Sequence, residues 1–386
     1  MTAQQRLIAI TGIFVFAFLG SIQALYGPLL PGLRRSFAID AGTVGLLFTA
    51  HGLGALLGIF VPSMVRSAAI ARRWLSIATA LLLVGAAALA WAPTWPTTLA
   101  AAFILAMGFG VHVIRLNSLF IAGFASRGMT MTQLLNAAFS IGSILGPIAL
   151  GLAGAQSQGL FGAVAACAAV LLPLCVLTDR AAFQAPEPAL GHDNKTVTPN
   201  GARLLLVAFV ALMSLYVGVE NSIAAWTTTF ALAKGYTYAE AANLTATFFG
   251  CIFTGRLLAA WLGHRIRAAG LVIGASVWVV ICLSVAVFSS LGPVAFAVTG
   301  FALSPIFAAT LVWLGSALPT TRHANALVIG GALIGSALFP PLVGRVIAQF
   351  GIAAAAPAIL CIATATLAIG VGIYVSHGTR SRDRSA

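Results

Sequence analysis

The sequence predicts an all-α polytopic membrane protein of twelve transmembrane helices, arranged as two pseudo-symmetric six-helix bundles. Three observations predict it. Of 386 residues, 60% are hydrophobic and 7% charged, against about 25% charged in an average soluble chain; mean hydropathy is +1.04. Uncharged runs of about 20–25 residues, the length a helix needs to cross a bilayer, recur down the chain. Motifs recur at a separation of six such runs. The runs are long and rich in Leu, Ala and Gly, unlike the short alternating segments of spanning strands. A helix also pairs its own backbone polar groups in lipid.

Taken in order, the spans are expected near 7–31, 43–65, 74–93, 97–123, 130–154 and 159–178, then near 204–232, 240–263, 268–290, 292–317, 323–349 and 352–375. Between the sixth and seventh lies DRAAFQAPEPALGHDNKTVTPNGAR, Asp179–Arg203, a polar stretch without apolar periodicity. The expected organisation is an N-terminal bundle (1–178), a cytoplasmic linker (179–203), a C-terminal bundle (204–376) and a disordered basic tail (377–386). Arg6 and the apolar run after it resemble a signal peptide, but the run is too long for one, so it reads as an uncleaved first helix.

Lys and Arg orient the helices. With the N-terminus inside, Arg6, Arg66, Arg72, Arg73, Arg127, Arg180, Lys195, Arg203, Arg265, Arg267, Arg322, Arg380, Arg382 and Arg384 lie on the cytoplasmic side; Arg34, Arg35, Lys234 and Arg345 lie outside. This asymmetry places both termini in the cytoplasm of a cell-membrane protein. It also excludes a nucleic-acid partner despite the net charge of +13, because the basic residues are scattered singly or in pairs between spans. Asn194-Lys195-Thr196 fits a glycosylation pattern but falls in the cytoplasmic linker.

Helix 5 has Asn136, Gly142 and Gly146; helix 11 has Asn325, Gly331 and Gly335 at the same spacing. Helix 2 adds Gly54 and Gly58. Glycines four apart make a flat stripe that lets another helix approach closely. Basic turns follow helices 2 and 8, again six helices apart.

Twelve spans divided six and six, with a polar central loop and basic turns after helices 2 and 8, resemble the major facilitator superfamily over essentially the whole chain. Within it, Tyr216, Gly218, Glu220 and Trp226 on helix 7, Gly255 and Arg256 on helix 8, and Gly142, Gly146 and Pro147 on helix 5 are similar to the fucose–galactose–glucose proton symporter branch. The resemblance implies alternating access, a central cavity lined by helices 1, 4, 7 and 10, and packing or conformational roles for Gly54, Gly58, Gly142, Gly146, Pro147, Arg256, Gly331 and Gly335. Three departures stand out: the acid of the family's loop after helix 2 is absent, helix 10 has Pro305 followed by Ala308, and helices 1 and 4 carry no acid.

The polar residues inside the spans agree with that ranking. Helices 3, 6 and 12 are nearly bare and are expected to face lipid. Helix 7 carries Glu220, an acid inside an apolar run, with Asn221 beside it and Tyr216 one turn earlier. An ionisable group at such depth is costly and marks a functional site, so Glu220 is the expected proton-coupling residue. Trp226 is suited to stacking on a sugar ring; the alternative is an interfacial tryptophan. On helix 4, His112 and Arg115 share a face, with Asn117 nearby. An arginine near mid-depth requires a counter-charge; Glu220 is the candidate, directly or through substrate, and the alternative is that Arg115 snorkels toward the inner surface. On helix 1, Gln23 and Tyr26 lie three apart before Pro28 and Pro31. The expected substrate-binding set is Gln23, Tyr26, His112, Arg115, Asn117, Tyr216, Glu220, Asn221 and Trp226. His51 reads as interhelical glue, and Ser304-Pro305 as a kink.

The expectation is a monomeric, non-enzymatic secondary transporter for a small polar solute such as a sugar, sugar acid or carboxylate, using protons and working in the lipid bilayer. Efflux of drugs or metabolites by proton exchange is the alternative, on the strength of the GSILGP run in helix 5. Cys167, Cys175, Cys251, Cys282 and Cys361 lie in apolar runs without metal-ligand spacing, and no phosphate-binding G-x4-G-K-[ST] loop exists, so neither metal nor cofactor is expected.

Overall fold

The computed structural model describes residues 1–65, 67–124, 127–154, 157–181, 200–262, 266–318 and 324–383. Most of the expected linker, residues 182–199, lies outside this set, as do the glycosylation-like triplet, Arg66, Arg265, Arg322 and residues 384–386. The described residues are helical throughout. In order they form α1 (Ala3–Phe37), α2 (Ala41–Met64), a short turn at Ala68–Ala71, α3 (Trp74–Ala90), α4 (Trp95–Gly123), α5 (Gly128–Ala153), α6 (Ser157–Ala181), α7 (Asn200–Ala233), α8 (Tyr238–Leu262), α9 (Ala268–Phe288), α10a (Gly292–Leu303), α10b (Ile306–Ala317), α11 (Ala324–Phe350) and α12 (Ala355–Asp383).

Counting α10a and α10b as one, ten helices are long and apolar enough to cross a membrane. The shorter α3 and the charge-bearing α8 complete the twelve. Two ends differ from expectation. α6 runs on to Ala181, taking in Asp179, a residue the sequence pattern assigns to the linker. α12 continues to Asp383, so much of the expected disordered tail is helical; once a helix is under way, each further residue adds a hydrogen bond at little cost.

The chain divides into two compact units, Met1–Ile39 with Leu46–Asn194, and Asp40–Gly45 with Lys195–Ala386. The start of α2 groups with the second unit for a steric reason. A Cβ on Gly45 would lie 2.7 Å from Pro341, and one on Gly42 2.9 Å from Arg345.

Inside each unit, glycine sets the helix spacing. A Cβ on Gly142 of α5 would fall 1.7 Å from the Ala17 carbonyl oxygen of α1, and one on Gly335 of α11 2.0 Å from that of Ser214 on α7. Gly146 faces Ser21 and Gly331 faces Val210 in the same two seams. The repeated N-x5-G-x3-G pattern therefore marks equivalent contacts, α1 with α5 and α7 with α11. Hydroxyls tie the first seam: Ser21 donates to the Gly142 carbonyl and Ser143 to that of Gly20. Gly54 and Gly58 of α2 lie on the Phe103 and Met107 carbonyls of α4. In the second unit the equivalent α8–α10 contact uses Gly300 against Phe248, and Gly255 against Ser304.

The kink expected at Ser304-Pro305 is the break between α10a and α10b. Pro305 has no N–H to give to the Phe301 carbonyl. The Ser304 hydroxyl donates to that carbonyl instead, at 2.8 Å.

Of the helices expected to face lipid, α6 and α12 present most of their surface outward. α3 is an exception: nine of its 17 residues are buried along one stripe, because α3 packs against both α4 and α6.

Acids begin the second helix of each half. Asp40 accepts from the Thr43 N–H and hydroxyl at 2.8 and 2.9 Å. Glu240 and Thr237 form a reciprocal capping box at the head of α8. The Thr43 backbone N–H, aided by its hydroxyl, holds the Asp40 carboxyl below the usual carboxylate range; the Thr237 N–H does the same for Glu240.

The glycine seams and the caps can each be tested by stability. Gly142→Ala and Gly335→Ala each destabilise by about 1–3 kcal/mol through overpacking, while Gly274→Ala, where a Cβ meets nothing within 4 Å, stabilises by about 0.5–1 kcal/mol; thermal unfolding in detergent compares them. Asp40→Ala costs about 1 kcal/mol at neutral pH. Because the folded-state pKa is depressed, the cap's contribution is present above the unfolded value near 4 and disappears as pH falls through the folded value. The difference between wild type and Asp40→Ala should therefore close in acid.

Candidate functional site

In the second unit the site is built on α7. Tyr216 and Glu220 lie one helical turn apart, so their side chains meet on one face. The buried Tyr216 hydroxyl donates to the Glu220 carboxylate, and Glu220 itself is half-buried. Arg256 of α8 lies within electrostatic reach of Tyr216. The acid thus has a phenol in contact and a guanidinium close by, all within one unit. A void of about 10 Å³ adjoins Tyr216, Ser276 of α9 and Thr366 of α12.

Asn221 is half-buried, and its amide donates to the Val217 carbonyl one turn back. Trp226 is fully buried. Its indole N–H donates to the Pro340 carbonyl at 3.0 Å, and its ring lies so close to Gly344 that a Cβ there would sit 2.8 Å away. The structure places this residue, expected to stack on a sugar ring, inside the α7–α11 seam. The two consecutive prolines of α11 withhold N–H groups from the carbonyls four residues earlier, at Ser336 and Ala337; Trp226 bonds a different carbonyl, that of Pro340, while filling the space over Gly344.

In the first unit, α1, α2, α4 and α5 meet in a run of aromatic edges near the middle of each helix. Phe16, Phe139, Phe109, His51 and Tyr26 contact one another in that order, with ring centroids 5.0–6.3 Å apart. The Tyr26 hydroxyl hydrogen-bonds His51 Nδ1 at 2.9 Å. Tyr26 is therefore committed to holding His51, and the other ring nitrogen of His51 has no hydrogen bond among the described residues. Gln23, one turn before Tyr26, is half-buried and also makes none among them.

The helix 4 residues are placed differently from expectation. His112 is fully buried with Nε2 3.0 Å from the Thr79 hydroxyl of α3. Thr79 already donates to the Leu75 carbonyl, so it accepts from an Nε2–H, and His112 is the Nε2–H tautomer. Arg115, three residues on, lies within electrostatic reach of Asp179. This face of α4 looks toward α3 and α6. Asp179 accepts from the Leu75 and Ser76 N–H groups and from the Ser76 hydroxyl, capping α3 from the end of α6. Arg115 is eight residues from the end of α4 and Asp179 two from the end of α6. A long side chain reaching toward that end, the snorkelling alternative, brings the pair together. Asn117 is half-buried and donates to the Val113 carbonyl.

Arg115 and Glu220 fall in different units; within its own, Arg115 has Asp179 in electrostatic reach and Glu220 has the Tyr216 hydroxyl. The sequence reading missed Asp179 because the helix end was drawn one residue short of it. The available signal was that α4 and α6 run in the same direction, which puts an arginine late in one and an acid late in the other at the same membrane face. The sequence reading took His51 as interhelical glue, which its bond to Tyr26 matches, but passed over Phe109 and Phe139, which only the crossing of helices brings to it. Among the described residues, no three His, Cys, Asp or Glu side chains group as a metal site.

A sequence-family model described as Major Facilitator Superfamily matches residues 10–292. No curated protein matches the chain. Among solved structures, the nucleoside transporter NupG is 15% identical with a TM-score of 0.72, covering 97% of this chain and 99% of its own. The D-xylose-proton symporter is 13% identical with a TM-score of 0.71, over 96% and 98%. A variant of the Escherichia coli fucose:proton symporter FucP is 18% identical with a TM-score of 0.63, over 95% and 98%. At these identities the likeness is one of fold.

The Arg115–Asp179 assignment is testable by a double-mutant cycle. Arg115→Gln and Asp179→Asn each destabilise by about 1–3 kcal/mol, and the double variant loses less than the sum by at least about 0.5 kcal/mol. Strict additivity in thermal unfolding would rule the pair out.

Proposed function

The chain belongs to the major facilitator superfamily, and from that premise we propose that it carries a small neutral polar solute across the cell membrane by alternating access, coupled to a proton at Glu220. One observation carries the reading: a half-buried carboxylate in a spanning helix, bonded by Tyr216 and near Arg256. Burial favours the protonated form of a carboxyl and a nearby cation favours the ionised form. Coupling requires a carboxyl that carries a proton in one state of the conformational cycle and gives it up in the other, and Glu220 is placed in a span to do so.

The substrate class follows from the charges. An anionic solute would need a cation whose charge is not already answered. Asp179 lies within electrostatic reach of Arg115 and Arg256 within that of Tyr216, so this reading assigns the solute contacts to neutral groups. Gln23, the second ring nitrogen of His51 and the rings of Phe109 and Phe139 suit a hydroxyl-bearing ring, with aromatic surface below it and polar groups at its edge. Fucose, xylose and nucleosides, the solutes named for the solved neighbours, are of this kind. In this reading the protein acts as a monomer with both termini cytoplasmic.

Reconstituted into liposomes, the wild type should concentrate such a solute when an inward proton gradient is imposed. Glu220→Gln should lose concentration while retaining solute exchange at equal concentrations, and Tyr216→Phe should fall between them. Gradient-driven accumulation by Glu220→Gln would exclude Glu220 as the proton site. Thermal stabilisation of the purified protein identifies the solute, because a ligand at about 100 times its Kd adds about 2.7 kcal/mol.

A further inference from the structure

The second unit also contains a cavity of about 260 Å³ between α8, α9 and the break in α10, separate from the Tyr216–Glu220 site. Leu258, Leu271, Ala275, Trp278, Phe301 and Pro305 line it. Its one hydroxyl, Ser304, is already donated to the Phe301 carbonyl. Apart from the Trp278 indole N–H, no side chain in the lining is left to hydrogen-bond a polar solute, so the occupant is hydrocarbon. The volume is below the roughly 300–1,000 Å³ of sites for compact small molecules. Leu258, Trp278 and Phe301 are 40%, 53% and 39% exposed, so the crevice opens sideways on the unit's surface, where a membrane protein meets lipid tails.

One end of the crevice is basic. Ile266 is part of the wall, and the next residue, Arg267, is exposed and stands at the N-cap of α9 with no side-chain cap bond. The N-terminus of a 21-residue helix and an exposed arginine are adjacent there, and each attracts phosphate. Lipid tails alone give no preference, because hydrocarbon gains little by exchanging lipid neighbours for apolar side chains; the selectivity lies at the charged end. We propose that the crevice holds one acyl chain of an anionic phospholipid, with its phosphate at Arg267.

The bound chain would rest on two functional parts. One wall is Gly255, next to the Arg256 that acts on Tyr216; another is the Ser304-Pro305 break. An occupied crevice therefore braces the α8–α10 contact beside the proton site.

The test uses the full-length protein in phosphatidylcholine nanodiscs containing increasing brominated phosphatidylglycerol, a tryptophan quencher. The Trp278 signal is the wild-type fluorescence minus that of Trp278→Phe. Quenching should saturate at a low mole fraction of the anionic lipid. Arg267→Gln should require about fivefold more, the preference one arginine supplies at an anionic surface. Ala275→Phe, which fills the crevice, should lose the saturable component. Quenching that rises linearly with mole fraction, equal quenching by brominated phosphatidylcholine, or an unchanged curve in Arg267→Gln would each overturn the proposal. Arg267 is exposed, so that variant decides even if Ala275→Phe does not fold.

Discussion

Seven carboxylates serve a chain with twenty lysines and arginines, and their placement organises the polar chemistry. In lipid, an unpaired charge or an open helix end costs far more than in water, so each acid has to do local work. Asp40, Asp179 and Glu240 stand at the heads of α2, α3 and α8 and accept from free backbone N–H groups. Glu220 stands at no helix end. It is held by Tyr216 inside a span. Asp179 does two jobs, capping α3 and lying within reach of Arg115, and so ties α6 to both α3 and α4.

The glycine seams are the second constraint. Where Gly142 and Gly335 meet carbonyls of α1 and α7, the helices pack backbone to backbone, closer than any side chain permits. Close packing fixes each pair rigidly. The flexible point lies elsewhere, at the break in α10, where proline removes a backbone hydrogen bond and the preceding serine replaces it. The two halves use the same helix pairs, and both helices of the α2–α4 and α8–α10 contacts contribute a glycine, Gly54, Gly58 and Gly110 in one and Gly255 and Gly300 in the other, but the G-x3-G spacing of α2 does not recur in α8. Repeated architecture therefore survives where the repeated motif does not.

Much of this was legible in the sequence, but unevenly. The N-x5-G-x3-G stripes could be read because close approach demands the absence of a side chain, and absence leaves a pattern. Ser304-Pro305 could be read because proline cannot donate wherever it sits. Trp226 was less legible: a large ring with one polar atom serves equally well against a sugar or inside a helix seam, and only the folded chain brings Pro340 and Gly344 against it. His112 and Arg115 were correctly placed on one face of α4, but that face looks toward α3 and α6. The aromatic run through His51 was invisible because its members come from four helices and no spacing along one of them records the meeting.

Composition and periodicity by themselves determined the membrane class, the spanning helices, the twofold repeat of six helices and the presence of a carboxylate inside an apolar run. These follow from hydrophobicity and backbone satisfaction, which act on each segment alone. Tertiary structure decided the partners. Arg256 lies within electrostatic reach of Tyr216, Asp179 within that of Arg115, and Tyr26 holds His51. Electrostatic and hydrogen-bonded pairing acts over a few ångströms in space, and the residues it joins can be far apart in the chain, 103 positions for Ser76 and Asp179.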